Sequence, residues 1–438
     1  MTSLFSHSIR SEMLALYVAE NLLTALLAFA LLAGGTAPAD LAAAAAFALL
    51  SGLCAGLVAG AIGLYRPMAM QGLRPSLVRG ATAAALFALL LALLTAALPF
   101  ERAGTSRELI LAGLAGSLGA MVVARIVFGL LRFPLQRLAL VGPGGPDPVL
   151  HRSFSPFEVT LALPVGEALL DAVERGRLRA WRVWAVVAAA HTPLAPAARH
   201  RCGKAGLQVF TEAEFSEHGL NRIDIDRLPE GWLATANAMK ANVWSTGLRR
   251  SFDILFALAL LLLTLPLLLL TALAIRLDSP GPVFYRQERV GHGNRTFELL
   301  KFRSMRVDAE ARGAPVWATR NDPRVTRVGH LIRLCRIDEI PQVLNVLRGD
   351  MSVVGPRPER PRFVEQLGAL IPHWHDRALV RPGITGWAQV NYPYGASVED
   401  ARMKLSYDLY YIRRRSLFLD LLILLATVRV VLFQEGAR

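Results

Sequence analysis

Long apolar runs with few charges alternate along this chain with more polar stretches. The runs cover about 13–33, 41–64, 77–99 and 106–131, then Phe252 to Leu277, then Ser416 to Phe433. As helices rising 1.5 Å per residue, each of the first four is long enough to cross a hydrocarbon core of ~30 Å. The first connection, Gly34 to Asp40, carries no Lys or Arg. The second holds Arg66, Arg74 and Arg79, and the third mixes Arg102 and Arg107 with Glu101 and Glu108. Arg132 and Arg137 follow the fourth run. This asymmetry predicts a four-helix transmembrane bundle over 1–134 with both ends in the cytoplasm. Its Ala, Gly and Leu content favours close helix packing, as a scaffold or the surface of a homodimer. Arg125, the one charge in the fourth run, is expected to snorkel to the cytoplasmic end. No intramembrane acid–base pair is expected, so a channel is not indicated.

From about 135 to 240 the pattern changes. Short apolar stretches at Leu138–Val141, Val159–Leu163, Val183–Val187 and Leu207–Phe210 alternate with helical patterns such as Glu167–Glu174. That alternation predicts a small parallel α/β domain. Gly142, Gly144 and Gly145 follow its first strand, but Pro143, Pro146 and Pro148 interrupt them. No intact phosphate-binding glycine turn opens a helix there.

The run from Phe252 to Leu277 has Pro266 in its middle and arginines at both ends: Arg249 and Arg250 before it, Arg276 after it. A proline removes an amide donor and crowds the preceding turn, so it can kink the helix. Basic residues at both ends suit a segment that dips into the membrane and returns. Strands are expected at Val283–Arg286 and Phe297–Arg303, around a turn at Gly291–Asn294. The last run, Ser416 to Phe433, contains Asp420 and Arg429. Its length is marginal for spanning, and its charges suggest a helix at the membrane surface.

The most informative stretch is 333–359. Asp338 and Glu339 precede Pro341, a residue favoured in the first helical turn, so both acids are expected near a helix start. Arg333 and Arg336 lie just upstream. Downstream, the Val354–Pro358 turn holds Arg357 in a fixed direction. Carboxylates beside fixed guanidiniums suit phosphate chemistry, in which a carboxylate attacks phosphorus or ligates a divalent cation.

Composition supports a membrane protein. The chain is 53% hydrophobic with a formal net charge of +14. The basic residues flank apolar segments instead of forming one stripe, which fits anionic lipid and argues against nucleic acid. Cys54, Cys202 and Cys335 are far apart in sequence and form no zinc or disulfide pattern, as expected in a reducing cytoplasm. The N-terminus has no cleavage site of a removable signal peptide.

Four motifs in one order carry a resemblance: Lys301-Phe302-Arg303-Ser304-Met305, Asp338-Glu339-Ile340-Pro341-Gln342, Gly355-Pro356-Arg357-Pro358 and Pro382-Gly383-Ile384-Thr385-Gly386-Trp387. From about Leu248 onward the chain resembles the bacterial sugar transferases, polyprenyl-phosphate phosphoglycosyl transferases of exopolysaccharide, capsule and O-antigen synthesis. The resemblance implies a monotopic catalytic domain over 248–438 with a re-entrant helix kinked at Pro266, preceded by a Rossmann-like domain over 135–240. It implies transfer of a sugar 1-phosphate from a UDP-sugar to undecaprenyl phosphate at the cytoplasmic face of the inner membrane, with release of UMP. Asp338 would be the nucleophile, Glu339 a metal partner or positioning group, and Mg²⁺ the cofactor. Asp408 would assist Mg²⁺ or the nucleotide, or form a surface ion pair. Lys301 and Arg303 would reach phosphate or the membrane surface. Arg333 and Arg357 would hold phosphate, and Arg381 phosphate or a carboxylate. Trp387 and Gln389 would stack or pack. Many relatives have Asn-Gly-Arg where this chain has Asn391-Tyr392-Pro393-Tyr394-Gly395, so one arginine contact is absent. Cys335 is expected to be a packed thiol. The competing class is a non-enzymatic scaffold of a polysaccharide export complex, which the intact Asp338-Glu339 and Arg357 motifs disfavour.

Overall fold

The computed structural model describes residues 2–4, 7–9, 11–34, 40–64, 73–98, 100, 104–130, 137–142, 157–164, 167–181, 183–189, 194–228, 243–307, 322, 324–392, 395 and 397–433. Most of the interrupted glycine turn (143–150) and the Pro393-Tyr394 pair lie outside these residues. The chain divides into two compact units, one mainly Ser8–Leu220 and the other mainly Asn221–Arg438.

In the first unit, α1 (Ser11–Ala33), α2 (Leu41–Ile62), α3 (Leu73–Ala97) and α4 (Ser106–Leu130) each contain a stretch long and apolar enough to cross a membrane. Small residues share the interior with Phe47, Phe87, Leu91 and Leu109, and many leucines face outward. Ala28, Ala44 and Ala120 are fully buried, while Leu26, Leu53 and Leu118 are mostly exposed. At Gly116 an added Cβ would lie 2.9 Å from the Ala28 amide nitrogen, so glycine permits the close approach of α4 to α1. The helices also hold an acid–base contact that the run-by-run pattern missed. Arg125 Nε lies 3.5 Å from Glu20 Oε1, and Arg125 donates to Leu64 O at 3.3 Å. Glu20 is buried. The Arg125 head turns toward α1 and the end of α2.

The same unit contains a four-stranded parallel sheet of β1 (Arg137–Val141), β2 (Glu158–Leu163), β3 (Val183–Ala188) and β4 (Gln208–Thr211), in the order β2-β1-β3-β4. Its strands are apolar on both faces because both are covered. Ala139, Val141 and Val186 pack with Leu169 and Ala172 of α5 (Glu167–Glu174) and with Cys202 of α6 (Pro196–Lys204). Leu138, Ala185 and Val187 pack on the other face with Phe157 and Phe215. Phe215 lies in α7 (Glu212–His218), which starts with a capping box made by Thr211 and Glu214.

The second unit begins at Asn221, earlier than the composition change near 240 suggests. Tyr410 Oη donates to Asn221 Oδ1 at 2.8 Å, and the Ile223 amide donates to Ser406 O at 3.0 Å. The apolar run becomes a 36-residue helix, α8 (Val243–Asp278), with Pro266 inside it. Thr264 Oγ1 donates to Leu260 O at 2.7 Å, tying up a carbonyl near the proline. The middle of α8 is bare: Leu262 and Leu263 are 71% and 81% exposed. Both ends are held by elements of this second unit. Near the start, Arg250 donates to Val346 O and Leu347 O, and Asp253 accepts from Ser352 Oγ and the Val353 amide. At the end, Ile275 packs with Phe302 and Ile332, and Asp278 accepts from the Val328 amide.

Two antiparallel strands follow, β5 (Phe284–Val290) and β6 (Thr296–Phe302), close to the expected hairpin. The buried Asn345 clips this hairpin to α10 (Val343–Arg348), accepting from the Leu300 amide and donating to Glu298 O. β7 (Ser352–Val354) pairs in parallel with β8 (Gly383–Thr385). Gly383 fits there because an added Cβ would meet the Gly355 amide nitrogen at 2.0 Å. The last apolar run, α14 (Leu417–Phe433), belongs to this core. Its two charges point inward. Asp420 accepts from Arg249 Nη1 at 2.5 Å and from Tyr411 Oη at 2.8 Å, and the buried Arg429 donates to Val390 O at 3.1 Å. Leu421, Val428 and Leu432 form its exposed apolar side.

Candidate active site

α9 (Arg327–Leu334) starts at Thr326, whose hydroxyl accepts from the Gly329 amide at 2.9 Å. The chain then turns at Arg336, which adopts the left-handed conformation with φ 57°, unusual for a side chain of this size. A single 3₁₀ turn, Ile337–Gln342, carries Asp338 and Glu339 in its opening and Pro341 within it. The acids therefore sit at a helix start, as their position before the proline predicts.

The two carboxylates have opposite environments. Glu339 accepts from Lys301 Nζ at 2.9 Å and from Arg357 Nη2 at 2.6 Å, with a longer contact of 3.4 Å to Arg357 Nη1. Burial alone would raise its pKa, but the charges of Arg357 and Lys301 hold it well below the usual range. Asp338 is 8% exposed, and its Oδ1 is buried with no hydrogen-bond partner. Burial first, and the charge of Glu339 second, push it up to about 6. Asp338 remains mostly ionised at neutral pH, but without fixed partners on one oxygen. Lys301, Arg333 and Arg336 favour its ionised form.

Lys301 and Arg357 are brought to the carboxylates as expected. Arg333 and Arg336 supply positive charge beside Asp338, and among the described residues their side chains make no hydrogen bond. Arg336 was noted upstream of the acids but not assigned to the site; its left-handed turn is not legible in residue types. Arg303 is placed elsewhere. It is 5% exposed and donates to Ser279 O at 2.7 Å, Pro280 O at 2.8 Å and Ser279 Oγ at 3.0 Å. Its guanidinium caps the end of α8 instead of facing a phosphate. Arg381 adjoins Gly355 through its backbone, and among the described residues its side chain makes no hydrogen bond or ion pair.

Asp408 is fully buried and accepts from Arg377 Nη2 at 2.8 Å. The same nitrogen donates to Arg357 O at 2.9 Å, so Asp408 reaches the site through Arg377. Burial raises Asp408 to about 6 against the pull of Arg377. Among the described residues Asp408 is not grouped with Asp338 and Glu339 as a metal cluster. Asp408→Asn keeps an acceptor for Arg377 and removes a carboxylate whose ionised form burial disfavours, so the unfolding temperature is expected to change little. The Mg²⁺ concentration for half-maximal activity is expected to stay near the wild-type value. Loss of a true ligand would weaken the metal by roughly tenfold or more. Thermal unfolding and a Mg²⁺ titration check both.

Trp387 is a core residue: its Nε1 donates to Asn221 O at 2.9 Å and its ring stacks on Tyr410. Gln389 donates to Ile384 O at 3.1 Å. Cys335 is exposed, which corrects the expectation of a packed thiol. Tyr392 donates to Asp400 Oδ1 at 3.0 Å, beside the capping box that starts α13 (Val398–Arg414).

Elements of one unit holding both ends of an apolar helix, and presenting paired carboxylates among cations, define a membrane-associated protein. The chain belongs to the bacterial sugar transferase family, whose model matches residues 244–434. It is 47% identical over 238 residues to a UDP-N-acetylgalactosamine-undecaprenyl-phosphate N-acetylgalactosaminephosphotransferase of Aeromonas hydrophila, covering 54% of this chain and 55% of that protein. It is 48% identical over 174 residues to a UDP-glucose:undecaprenyl-phosphate glucose-1-phosphate transferase of Xanthomonas campestris pv. campestris, covering 39% of this chain and 36% of that one. A protein with the same activity name from Caulobacter vibrioides is 46% identical over 191 residues, 43% of this chain and 71% of the relative. The chain spans about half or less of the length of the first two.

Proposed function

We propose that this protein transfers a sugar 1-phosphate from a UDP-sugar to undecaprenyl phosphate, releasing UMP and starting an exopolysaccharide repeat unit. The observation that carries this is the buried, one-sidedly unpartnered carboxylate of Asp338 beside the Lys301–Glu339–Arg357 cluster. In the first step Asp338 attacks the β-phosphorus. The bond to the α-phosphate oxygen breaks, and its electrons leave with UMP. In the second step an oxygen of the lipid phosphate attacks the same phosphorus and frees Asp338, leaving a lipid diphosphate sugar. The sugar–oxygen bond is untouched in both steps. Lys301 and Arg357 keep Glu339 ionised and oriented, while Arg333 and Arg336 offset the negative charge of the incoming phosphates.

The donor set fits Mg²⁺: hard carboxylate oxygens, one of them buried without a partner on Asp338. Asp338 and Glu339 are the residues that would hold it. Bound there, it would neutralise charge on the diphosphate.

The attachment of both ends of α8 to elements of one unit supports a re-entrant helix, with the acceptor reaching the site from the inner leaflet. At 1.5 Å per residue a straight 36-residue helix would run about 54 Å, far more than a membrane core. We further propose that α1–α4 span the membrane, that the parallel sheet is a Rossmann-like domain, and that the catalytic unit faces the cytoplasm. Single cysteines at Thr246 and Ser279, in a chain lacking Cys54, Cys202 and Cys335, are expected to react with an impermeant maleimide from the same side. Labelling from opposite sides would establish a crossing helix.

The decisive test gives purified membranes a radiolabelled UDP-sugar. Label is expected in the lipid fraction together with free UMP. If a panel of UDP-hexoses and UDP-N-acetylhexosamines leaves the lipid unlabelled, the scaffold role replaces the enzyme.

A further inference from the structure

The turn that carries Arg357 places it between two prolines, Pro356 and Pro358. Neither proline has an amide proton, so the turn cannot brace itself as a backbone ladder does. Each carbonyl from 356 to 359 is instead held from outside. Pro356 O accepts from the Gly383 amide, and Glu359 O from the Val290 amide, both at 2.9 Å. Between them, Arg357 O accepts from Arg377 Nη2 and Pro358 O from Arg289 Nη1, each at 2.9 Å. Half of the bracing therefore comes from guanidiniums that are distant in sequence.

Arg377 is itself fixed on two further sides. Its Nη2 also donates to Oδ2 of the buried Asp408 at 2.8 Å. Its guanidinium lies 4.6 Å over the ring of Trp374, which opens the same 3₁₀ segment, Trp374–Leu379. The side chain is only 12% exposed, so water competes little for these bonds. A planar guanidinium can rest on an indole and still aim one nitrogen at a carboxylate and a carbonyl. Arg377 meets the backbone of Arg357, while the side chain of Arg357 meets Glu339 at 2.6 Å. Among the described residues Arg377 makes no hydrogen bond or ion pair to Asp338 or Glu339.

We propose that Arg377, backed by Asp408, is a positioning residue: it fixes the direction from which Arg357 meets Glu339, and so the geometry of the carboxylate pair. The proposal rests on the transferase reading above. It makes Asp408 the far end of a chain of contacts that runs through Arg377 and Arg357 to Glu339.

The test adds Arg377→Met to the full Asp408→Asn chain in lipid nanodiscs, so that no buried carboxylate loses its cation. The addition is expected to lower kcat about tenfold or more, because small misplacements of a positioned group have effects of that size. The KM for the UDP-sugar is expected to change less than about twofold, since Arg333 and Arg336, the cations assigned to the phosphates, are untouched. In an Arg357→Gln background the same addition is expected to leave kcat within about twofold, because Arg377 then has no guanidinium to aim. A residue needed only for folding would lower kcat by the same factor in both backgrounds. Equal losses, or no loss with Arg357 present, overturn the proposal. Arg377→Lys keeps a cation for Asp408 and covers the case in which Arg377→Met does not fold. It is expected to show the same dependence on Arg357, and a lysine variant without that dependence overturns the proposal.

Thermal unfolding gives a readout that needs no turnover. Arg377 and Glu339 share Arg357 as a partner, so the loss of unfolding temperature caused by Glu339→Gln is expected to fall by about half once Arg377 is replaced. A loss that stays the same overturns the proposal. If wild type labels no lipid but the two losses are coupled, the transferase reading falls and the positioning stands. If lipid is labelled and the losses are independent, the transferase stands and the positioning falls.

Discussion

Asp338→Asn is expected to lower turnover at least about 10³-fold, because an amide neither carries the charge nor has the nucleophilicity that attack on phosphorus needs. The substitution changes little in volume, so the fold is expected to survive. In buffer containing a chelator it is expected to gain stability. The sign follows from the environment: burial pushes Asp338 up to about 6, above the value of an aspartate in an unfolded chain. Its ionised form is therefore disfavoured by folding at neutral pH, and removing it relieves the folded state. A structural carboxylate would behave oppositely. Replacing Glu339 by Gln, for instance, leaves Lys301 and Arg357 without the negative charge they share and is expected to destabilise. Lipid labelling and thermal unfolding of the two variants, run side by side, separate the roles. An Asp338→Asn protein that still turns over removes the nucleophile. One that loses stability shows that Asp338 helps to hold the turn.

Much of this was legible because the informative signals are local. Long apolar runs marked α1 to α4, alternation marked the parallel sheet, and Asp338-Glu339 before Pro341 marked the 3₁₀ turn. What escaped depends on partners distant in sequence. Arg303 stands in a motif with Lys301, yet the two residues have different neighbours: Glu339 for one, the end of α8 for the other. Asp408 looks like a metal ligand until Arg377, 31 residues earlier, is found beside it. Asp420 and Arg429 read as surface charges of an apolar helix because their partners, Arg249 and Val390, lie in other elements. Glu20 and Arg125 stand in different runs, so inspection of each run alone could not pair them. Residue type told which groups can bear charge; the fold decided which of them face one another.

Arg303→Met is expected to cost about 3 kcal/mol of stability, since it leaves buried carbonyls at the end of α8 without donors. The site is built for a guanidinium. Gly281 takes φ +122°, and an added Cβ there would meet Arg303 Nη1 at 2.1 Å. A lysine presents one compact ammonium and cannot reproduce a planar fork that reaches the Ser279 and Pro280 carbonyls together. Arg303→Lys is therefore expected to rescue little of the stability, although it preserves the charge. The start of α8 is fastened independently, through Asp253 to Ser352 and Val353 and through Arg249 to Asp420. Removing the cap thus frees one end of the helix only. Protein that remains folded is expected to keep a near-normal KM for the nucleotide sugar, because Arg303 does not face the carboxylates. Hydrogen exchange localised to residues 268–282, with unfolding temperature and KM, checks this. A variant as stable as wild type but with a KM raised about tenfold or more would return Arg303 to the phosphate-binding role that its motif suggests, since a lost charge-assisted contact has that magnitude.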